Sequence, residues 1–218
     1  MKFIDLFAGI GGFRIALESI GAQCVFSAEI NSHACDMYKK NFGDHPYGDV
    51  TQIDPFIIPD FDILCAGFPC QAFSISGKKK GFAEARGTLF FDICRIIEVK
   101  KPLIVFLENV KNLEIHDNRN TFSTMKECLN SLGYTVSYKV LNACDFGVPQ
   151  NRERIIIIAS KNGIPFDFSK VATQPTTQML SFLDDQNHID SSLYLSPHQY
   201  KLLDEQHIKV QKSNLIFI

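Results

Sequence analysis

The chain has 218 residues, of which 45% are hydrophobic and 21% charged, a balance typical of a soluble globular protein. No stretch approaches the ~20 uninterrupted apolar residues of a membrane-spanning helix, and the early acid Asp5 argues against a signal peptide. The formal net charge of −2 predicts no overall basic surface of the kind that nucleic-acid-binding proteins normally carry.

The cysteine content of the sequence indicates a reducing compartment. There are seven, an odd number, and none forms a C-x-x-C pair. This pattern predicts reduced thiols and a cytoplasmic location rather than a disulfide framework. It also argues against a structural zinc site, because paired ligand spacing is absent. We therefore expect neither a metal nor a membrane among the partners.

The first predicted elements are a strand, a glycine turn and a helix. Lys2 to Leu6 is a short apolar strand, residues 7–13 form a glycine-rich turn, and an amphipathic helix follows from about Phe13 to Ile20. This order builds a backbone cradle for a polar ligand at a helix N-terminus. The dinucleotide fingerprint would need glycine or alanine at position 14, where the chain has Arg14. An NAD-dependent dehydrogenase is therefore disfavoured.

Two acids follow at the ends of the next units. The strand from Gln23 to Ala28 ends at Glu29, about 20 residues after the first glycine, where an acid can bind ribose hydroxyls. Asp49 follows the next unit and is placed to read an adenine amino group. Each acid alone is equally consistent with a solvated loop residue. Together they predict an adenosine-bearing ligand other than NAD.

The central motif is a cysteine after a buried strand. The apolar segment Phe61 to Ala66 leads into Gly67-Phe68-Pro69-Cys70-Gln71-Ala72-Phe73-Ser74, which places Cys70 where open α/β sheets hold ligands. Pro69 stiffens the approach to this cysteine. The alternative is that Cys70 is a buried apolar residue. The neighbouring glycine, proline and glutamine are poor core formers, however, and the basic loop from Ile75 to Arg86 would favour a thiolate.

This motif resembles the one that carries the nucleophile in cytosine-C5 DNA methyltransferases. The resemblance covers roughly the first 160 residues and implies S-adenosylmethionine as cofactor, with S-adenosylhomocysteine as product. We expect a Rossmann-like α/β fold, a doubly wound and mostly parallel sheet with the sites at the carboxyl ends of its strands. Many family members carry a large aromatic residue after the ribose acid, where this chain has Ile30. The implied cofactor-binding residues are Phe7, Gly9, Gly11, Glu29, Ile30, Asp49, Pro69 and Leu89.

A second carboxylate follows the next strand. A helix is predicted from about Leu89 to Val99, and the apolar strand Leu103 to Leu107 then ends in Glu108-Asn109-Val110. A partly desolvated carboxylate at this position is suited to giving or sharing a proton. A helix-capping acid is the alternative reading. The triplet also matches the Glu-Asn-Val motif of the resembled family.

Two arginines open the last predicted strand of this half. After a helix from Thr121 to Leu132 and a strand from Tyr134 to Leu141, the segment 150–154 leads into Ile155 to Ala159. Residues two apart on an extended segment face the same way, so Arg152 and Arg154 are predicted to share a pocket. An exposed surface ladder is the alternative. In the resembled family this segment lines the cytosine pocket.

The implied reaction explains these residue types. Cytosine C5 is too weak a nucleophile to take a methyl group directly, whereas addition of the Cys70 thiolate to C6 makes C5 nucleophilic. Glu108 would relieve the resulting charge at N3, and Arg154 is the candidate cation near O2. The base must leave the duplex for this chemistry, so the implied partner is double-stranded DNA with a flipped cytosine.

The resemblance fades after residue 160. Residues 161–218 are predicted to be a linker and an incomplete C-terminal segment, with a short helix near Gln178 to Leu183 and a helix from His198 to Gln211. The motifs of a target-recognition domain are missing from the sequence. We expect a catalytic portion of a restriction-modification enzyme: a subunit of a split enzyme whose second chain supplies recognition, a truncated gene product or an expressed fragment. The rivals are a tRNA-directed relative, a truncated remnant that is not catalytic and, more distantly, a dehydrogenase.

Overall fold

The computed structural model describes residues 1–69, 89–182 and 195–203. One compact unit contains Met1–Leu141 and Glu153–Ala172, and a second contains Asn142–Arg152 and Thr173–Ile218. The strands are β1 (Lys2–Leu6), β2 (Gln23–Ala28), β3 (Ile63–Ala66), β4 (Ile104–Val110), β5 (Thr135–Asn142) and β6 (Glu153–Ser160). The helices are α1 (Gly12–Glu18), α2 (Ser32–Phe42), α3 (Leu89–Lys100) and α4 (Asn120–Ser131).

The six strands form one sheet in the order β2-β1-β3-β4-β6-β5. Strands β2, β1, β3 and β4 are parallel, and β6 is antiparallel to β4. The structure thus confirms the predicted α/β fold with a mostly parallel sheet. The chain places β2 on one side of β1 and β3 on the other. The carboxyl ends of these strands therefore meet at a topological switch point, where open α/β sheets bind ligands.

The core lies on both faces of the sheet. All four residues of β3 are buried, as expected of a central parallel strand covered on both sides. The larger cluster of apolar side chains packs between the sheet and helices α3 and α4, with Ile93 and Met125 among its members. A smaller cluster packs beneath α1 and contains Phe3, Leu17 and Cys65. Helices on both faces make the sheet doubly wound.

Tertiary pairing moves several predicted boundaries. Strand β4 continues through Glu108 and Asn109 because its ladder with β6 extends to the pair Val110 and Arg154. Helix α1 ends at Glu18, two residues earlier than predicted. Among the described residues, no helix has the length and apolar character needed to cross a membrane.

The elements of the C-terminal part are short. Met179–Phe182 is a 3-10 helix within the segment predicted to be helical. Residues 197–203 are helical, which confirms the start of the helix predicted from His198. The remainder of that helix lies outside the described residues.

A strained turn precedes α4. Asp117, Asn118 and Arg119 have positive φ angles of 50°, 53° and 71°. Short polar side chains tolerate the left-handed region because they bond locally, but arginine does not share this advantage. Arg119 is also the N-cap of α4 and makes no side-chain capping hydrogen bond. The turn therefore holds conformational strain at one arginine.

Replacing Arg119 with glycine should stabilise the protein. Relief of left-handed strain is worth about 1–2 kcal/mol, and the extra entropy of glycine in the unfolded chain offsets about 0.5–1 kcal/mol of this. We expect a net gain of about 0.5–1 kcal/mol in the free energy of unfolding, measured by urea denaturation. Arg119→Ala retains a Cβ atom and should give no gain. Equal gains from both variants would show that the arginine side chain, not its φ angle, is the source.

Candidate active site

Every second residue of the glycine turn after β1 has a left-handed backbone conformation. Phe7, Gly9 and Gly11 have φ angles of 56°, 54° and 97°. A Cβ atom at Gly11 would overlap the ring of Phe42, so this position requires glycine for its space as well as its φ angle. A Cβ atom at Gly9 would meet nothing within 4 Å. The backbone at Gly9 is thus open to close approach by a ligand, as a cradle at a helix N-terminus requires.

Glu29 locks this turn to the end of β2. Its Oε2 atom accepts a hydrogen bond from the Gly9 N–H at 2.8 Å, and its Oε1 atom accepts one from the Asn31 N–H at 2.8 Å. Each carboxylate oxygen retains a further lone pair for another donor. The predicted ribose acid therefore also shapes the cradle. Ile30 beside it is 72% exposed, so its side chain is available as an apolar surface.

The loop that carries Asp49 is anchored to α3. The Asp49 Oδ1 atom accepts from the Thr51 N–H at 2.9 Å and caps a 3-10 turn. Arg95 donates from Nη1 to the carbonyl oxygen of Ile53 at 2.7 Å and from Nη2 to that of Val50 at 3.0 Å. Sequence reasoning missed Arg95, since its partners are backbone carbonyls more than 40 residues away.

Arg14 joins α1 to α2. Its Nε atom contacts Glu18 Oε1 at 2.8 Å, and its Nη2 atom contacts Asp44 Oδ2 at 2.8 Å. Its Nη1 atom donates to the Tyr38 hydroxyl at 3.3 Å, and the guanidinium lies 4.5 Å from the centre of the Phe42 ring. The residue that argued against NAD is therefore a structural link that holds the helix after the glycine turn.

Asp5 is a fully buried carboxyl in the middle of the sheet. It lies in register with Ser27 of β2 and Cys65 of β3. Among the described residues, neither of its oxygens has a hydrogen-bond partner of normal geometry. Burial raises the pKa of Asp5 to about 8; the backbone and guanidinium of Arg14 oppose this shift and the charge of Glu29 adds to it. Asp5 is thus held neutral near physiological pH.

An ion pair between side chains links β4 and β6. The Nε atom of Arg154 lies 2.9 Å from Oε1 of Glu108, and both side chains are partly exposed. The Arg154 Nη1 atom also donates to the carbonyl oxygen of Glu153 at 2.8 Å. An added Cβ at Gly67 would lie 3.6 Å from Glu108 Oε2, so this carboxylate borders the turn after β3. The structure therefore brings Glu108 and Arg154 together at that turn.

Asn109 holds the same turn from the buried face of β4. Its Nδ2 atom donates to the carbonyl oxygen of Phe68 at 2.9 Å, and its Oδ1 atom accepts from the Val110 N–H at 2.8 Å. The backbone that leads to Pro69 is thereby fixed to the neighbouring strand. Cys70, the predicted nucleophile, lies outside the described residues, as does the basic loop after it.

The remaining predicted residues lie in different surroundings. Arg152 precedes β6, belongs to the second compact unit and is exposed, with its N–H donating to Asn142 Oδ1 at 2.9 Å. Its pairing with Arg154 in one pocket stays a prediction. Leu89 is the half-buried first residue of α3. Among the described residues, no group of three or more His, Cys, Asp or Glu side chains could hold a metal ion.

The chain matches one protein family over nearly its whole length. The family model described as C-5 cytosine-specific DNA methylase matches residues 1–215. The type II methyltransferase M.HhaI of Haemophilus parahaemolyticus is 60% identical over 164 residues, which are 75% of this chain and 50% of that protein. The type II methyltransferase M.HaeII of Haemophilus aegyptius is 50% identical over 195 residues, 89% of this chain and 61% of that protein.

Solved structures share the fold at low sequence identity. The S. pombe Dnmt2 methyltransferase has a TM-score of 0.71 at 24% identity, covering 89% of this chain and 63% of that one. A Spodoptera frugiperda DNMT2 mutant has a TM-score of 0.69 at 23% identity, covering 88% and 61%. The chain thus spans about half to three fifths of the length of the curated relatives compared here.

The buried Asp5 should make stability depend on pH. Because its pKa is raised from 3.8 in the unfolded chain to about 8 in the folded protein, the folded state binds a proton that the unfolded state has lost. The contribution of Asp5 to stability is therefore fully present below about pH 4 and is lost as pH rises toward about 8. Asp5→Asn should flatten the dependence of the unfolding free energy on pH across this window.

Urea denaturation at several pH values between about 5 and 8 tests this linkage. Asp167→Asn is the matched control, because bonds from Ser169 lower the pKa of the exposed Asp167 carboxyl. That carboxyl titrates below the window, so its loss should leave the slope unchanged. If wild type and Asp5→Asn have the same slope, Asp5 does not carry a proton in the folded protein.

Proposed function

Because the chain belongs to the C-5 cytosine-specific DNA methylase family, we propose that it forms the cofactor and cytosine sites of an enzyme that methylates DNA. The reaction transfers the methyl group of S-adenosylmethionine to C5 of cytosine. The observation that carries this proposal is the Glu108–Arg154 ion pair, which borders the turn leading to Cys70. The relatives are named type II methyltransferases, which supports a restriction-modification setting. The odd number of cysteines without a C-x-x-C pair favours a cytoplasmic location.

The cradle after β1 fits S-adenosylmethionine. The open backbone at Gly9 allows close approach of the methionine part. Phe7 belongs to the same turn, and its side chain packs against the larger core cluster. The free lone pairs of Glu29 suit ribose hydroxyls. When bound, the cofactor supplies an electrophilic methyl group on a sulfonium and leaves as S-adenosylhomocysteine. The residues that we propose to hold it are Phe7, Gly9, Gly11, Glu29, Ile30, Asp49, Pro69 and Leu89.

The catalytic part rests on three side chains. The Cys70 thiolate adds to C6 of the flipped cytosine, which makes C5 nucleophilic. Glu108 in its protonated form donates a proton or hydrogen bond at N3, and Arg154 provides positive charge near O2. Because Arg154 also contacts Glu108 at 2.9 Å, one guanidinium both orients the carboxylate and faces the base. Loss of the C5 proton, departure of the thiolate and return of the N3 proton to Glu108 then restore the aromatic ring.

Asn109 is a positioning residue in this scheme. Its amide fixes the Phe68 carbonyl group to β4, two residues before Cys70. The strand that carries Glu108 therefore also sets the approach of the nucleophile. Arg152 is included among the residues near the base because it lies in the same segment as Arg154.

DNA recognition is proposed to reside largely outside this chain. The chain spans 50% of the length of one curated relative and 61% of another. Its net charge of −2 also supplies no general attraction to phosphates. We therefore propose that further polypeptide, on a second chain or in a longer protein, contributes the target-recognition part.

Covalent trapping tests the proposed reaction. Duplex DNA containing 5-fluorocytosine retains fluorine where a proton must leave, so the Cys70 adduct should persist after methyl transfer. We expect a DNA adduct by mass spectrometry that disappears in Cys70→Ala and remains in Cys24→Ala, which removes a half-buried thiol of β2. An adduct that survives in Cys70→Ala would remove this residue as nucleophile.

Two comparisons separate the rival functions. An adduct formed with 5-fluorocytosine in transfer RNA but not in DNA would make the protein an RNA-directed relative. Measurable cofactor binding without any adduct would mean that this chain needs further polypeptide for DNA. Adding the recognition half of a relative as a separate chain would then distinguish a split enzyme from an inactive remnant.

Glu29→Gln should weaken cofactor binding. An unpaired ribose hydroxyl costs about 1–3 kcal/mol, which is roughly 5- to 150-fold in the dissociation constant measured by calorimetry. Asp36→Asn, which removes an exposed charge from α2, should have little effect. An analogue of the cofactor that lacks both ribose hydroxyls separates the two roles of Glu29. If the variant weakens cofactor and analogue equally, Glu29 only holds the glycine turn.

A further inference from the structure

Two buried thiols face each other outside the proposed active site. Cys94 lies on α3 and Cys128 on α4, and their sulfur atoms are 3.3 Å apart. The residues are 7% and 6% exposed and belong to the larger core cluster. The methylation chemistry uses only Cys70, so it assigns no role to this pair.

The surroundings argue against two simpler roles. The described residues offer no cluster of three metal-ligating side chains, so the two thiols lack the further ligands that a zinc site needs. A buried cysteine is often just a small apolar residue. Cys35 is an example of such a structural cysteine. It is 4% exposed, and its thiol donates to a backbone group, the Glu29 carbonyl oxygen at 3.3 Å, instead of to another thiol. Cys94 and Cys128 instead hydrogen-bond to each other, sulfur to sulfur.

The electrostatics give the two thiols different reactivity. In the structure the Cys128 thiol donates to the Cys94 sulfur at 3.3 Å. Once Cys128 has lost its proton, the Cys94 thiol becomes the donor, and this contact lowers the pKa of Cys128 against burial and the charge of Glu98. The same hydrogen bond, together with burial, raises the pKa of Cys94. Cys128 therefore ionises first and is the better nucleophile, while Cys94 remains protonated within reach.

We propose that Cys94 and Cys128 are an oxidative modification site, at which hydrogen peroxide joins α3 to α4 through a disulfide. The Cys128 thiolate attacks one peroxide oxygen, the O–O bond breaks, and the released hydroxide takes a proton to become water. The sulfur of Cys94 then attacks the sulfenic acid on Cys128, the S–O bond breaks, and a second water leaves with the thiol proton. Two thiols lose two electrons, and a thiol reductant reverses the reaction.

The two sulfur atoms already lie close to bonding distance. A disulfide bond is about 2.05 Å long, so the sulfur atoms must approach by roughly 1.3 Å. The bond would join residues 34 apart, a loop length for which cross-linking stabilises a protein by restricting the unfolded chain. Helix α3 also carries Arg95, which holds the carbonyl groups of Val50 and Ile53 beside Asp49. Oxidation would thus restrict the movement of α3, the helix that supports the Asp49 loop of the proposed cofactor site.

Peptide mapping of the native protein after a peroxide titration tests the site. We expect a cross-linked peptide pair containing Cys94 and Cys128, a mass loss of two hydrogens, and reversal by a thiol reductant. Cys35 is the internal control, because it is equally buried without a thiol partner bonded to it. The melting temperature should rise on oxidation in wild type and not in Cys94→Ala. Oxidation of the pair no faster than that of Cys35 would overturn the proposal.

Variants test the order of the two steps. Cys94→Ala should stop at a sulfenic acid on Cys128 that dimedone traps, whereas Cys128→Ala should yield no such adduct on Cys94. Glu98→Gln should make oxidation several-fold faster, because the charge of Glu98 disfavours the Cys128 thiolate. Glu127→Gln removes another exposed acid, on α4, and should leave the rate unchanged. Dimedone capture on Cys94 instead of Cys128 would reverse the assigned roles and contradict the mechanism.

Discussion

The central position of β1 is the constraint on which the proposed sites depend. Because β1 pairs in parallel with both β2 and β3, the turns after all three strands open at the same edge of the sheet. The bond from Gly9 to Glu29 then ties the first turn to the second strand. Pairing of β3 with β4 brings the turn after Gly67 beside Glu108. The glycine turn proposed to hold the cofactor and the carboxylate proposed to meet the cytosine are consequently parts of one sheet edge.

Buried polar groups hold this edge in place. Arg14 joins two helices through Glu18, Asp44 and Tyr38, and Asn109 binds a backbone carbonyl group in the interior. Such groups are costly to bury without partners, so each satisfied contact also specifies one arrangement. Asp5 is the exception among the described side chains, and its burial favours the neutral acid. The molecule therefore combines rigid supports with a buried carboxyl that responds to pH.

The two faces of the sheet serve different purposes. The α1 face carries the smaller cluster and lies beneath the glycine turn. The opposite face carries the larger cluster, in which α3 and α4 pack and the pair Cys94 and Cys128 lies. Arg95 links α3 to the loop of Asp49, so packing on the second face supports a loop that we propose to contact the cofactor. A change of covalent state between α3 and α4 would act on that support.

The sequence by itself determined the fold class, the family and the main elements, because strand and helix periodicities and the motif around Cys70 are local patterns. It also indicated Glu29 and Glu108 as candidate site residues, because each follows an apolar run of sequence directly. Only the tertiary structure decided which distant groups meet. The contacts of Arg95 with Val50 and Ile53, of Asn109 with Phe68, and of Arg14 with Tyr38 and Asp44 join residues far apart in the chain, and no local spacing encodes them. Strand β4 likewise extends past Leu107 because β6 pairs with it. Long-range pairing and packing, rather than propensity, set those features.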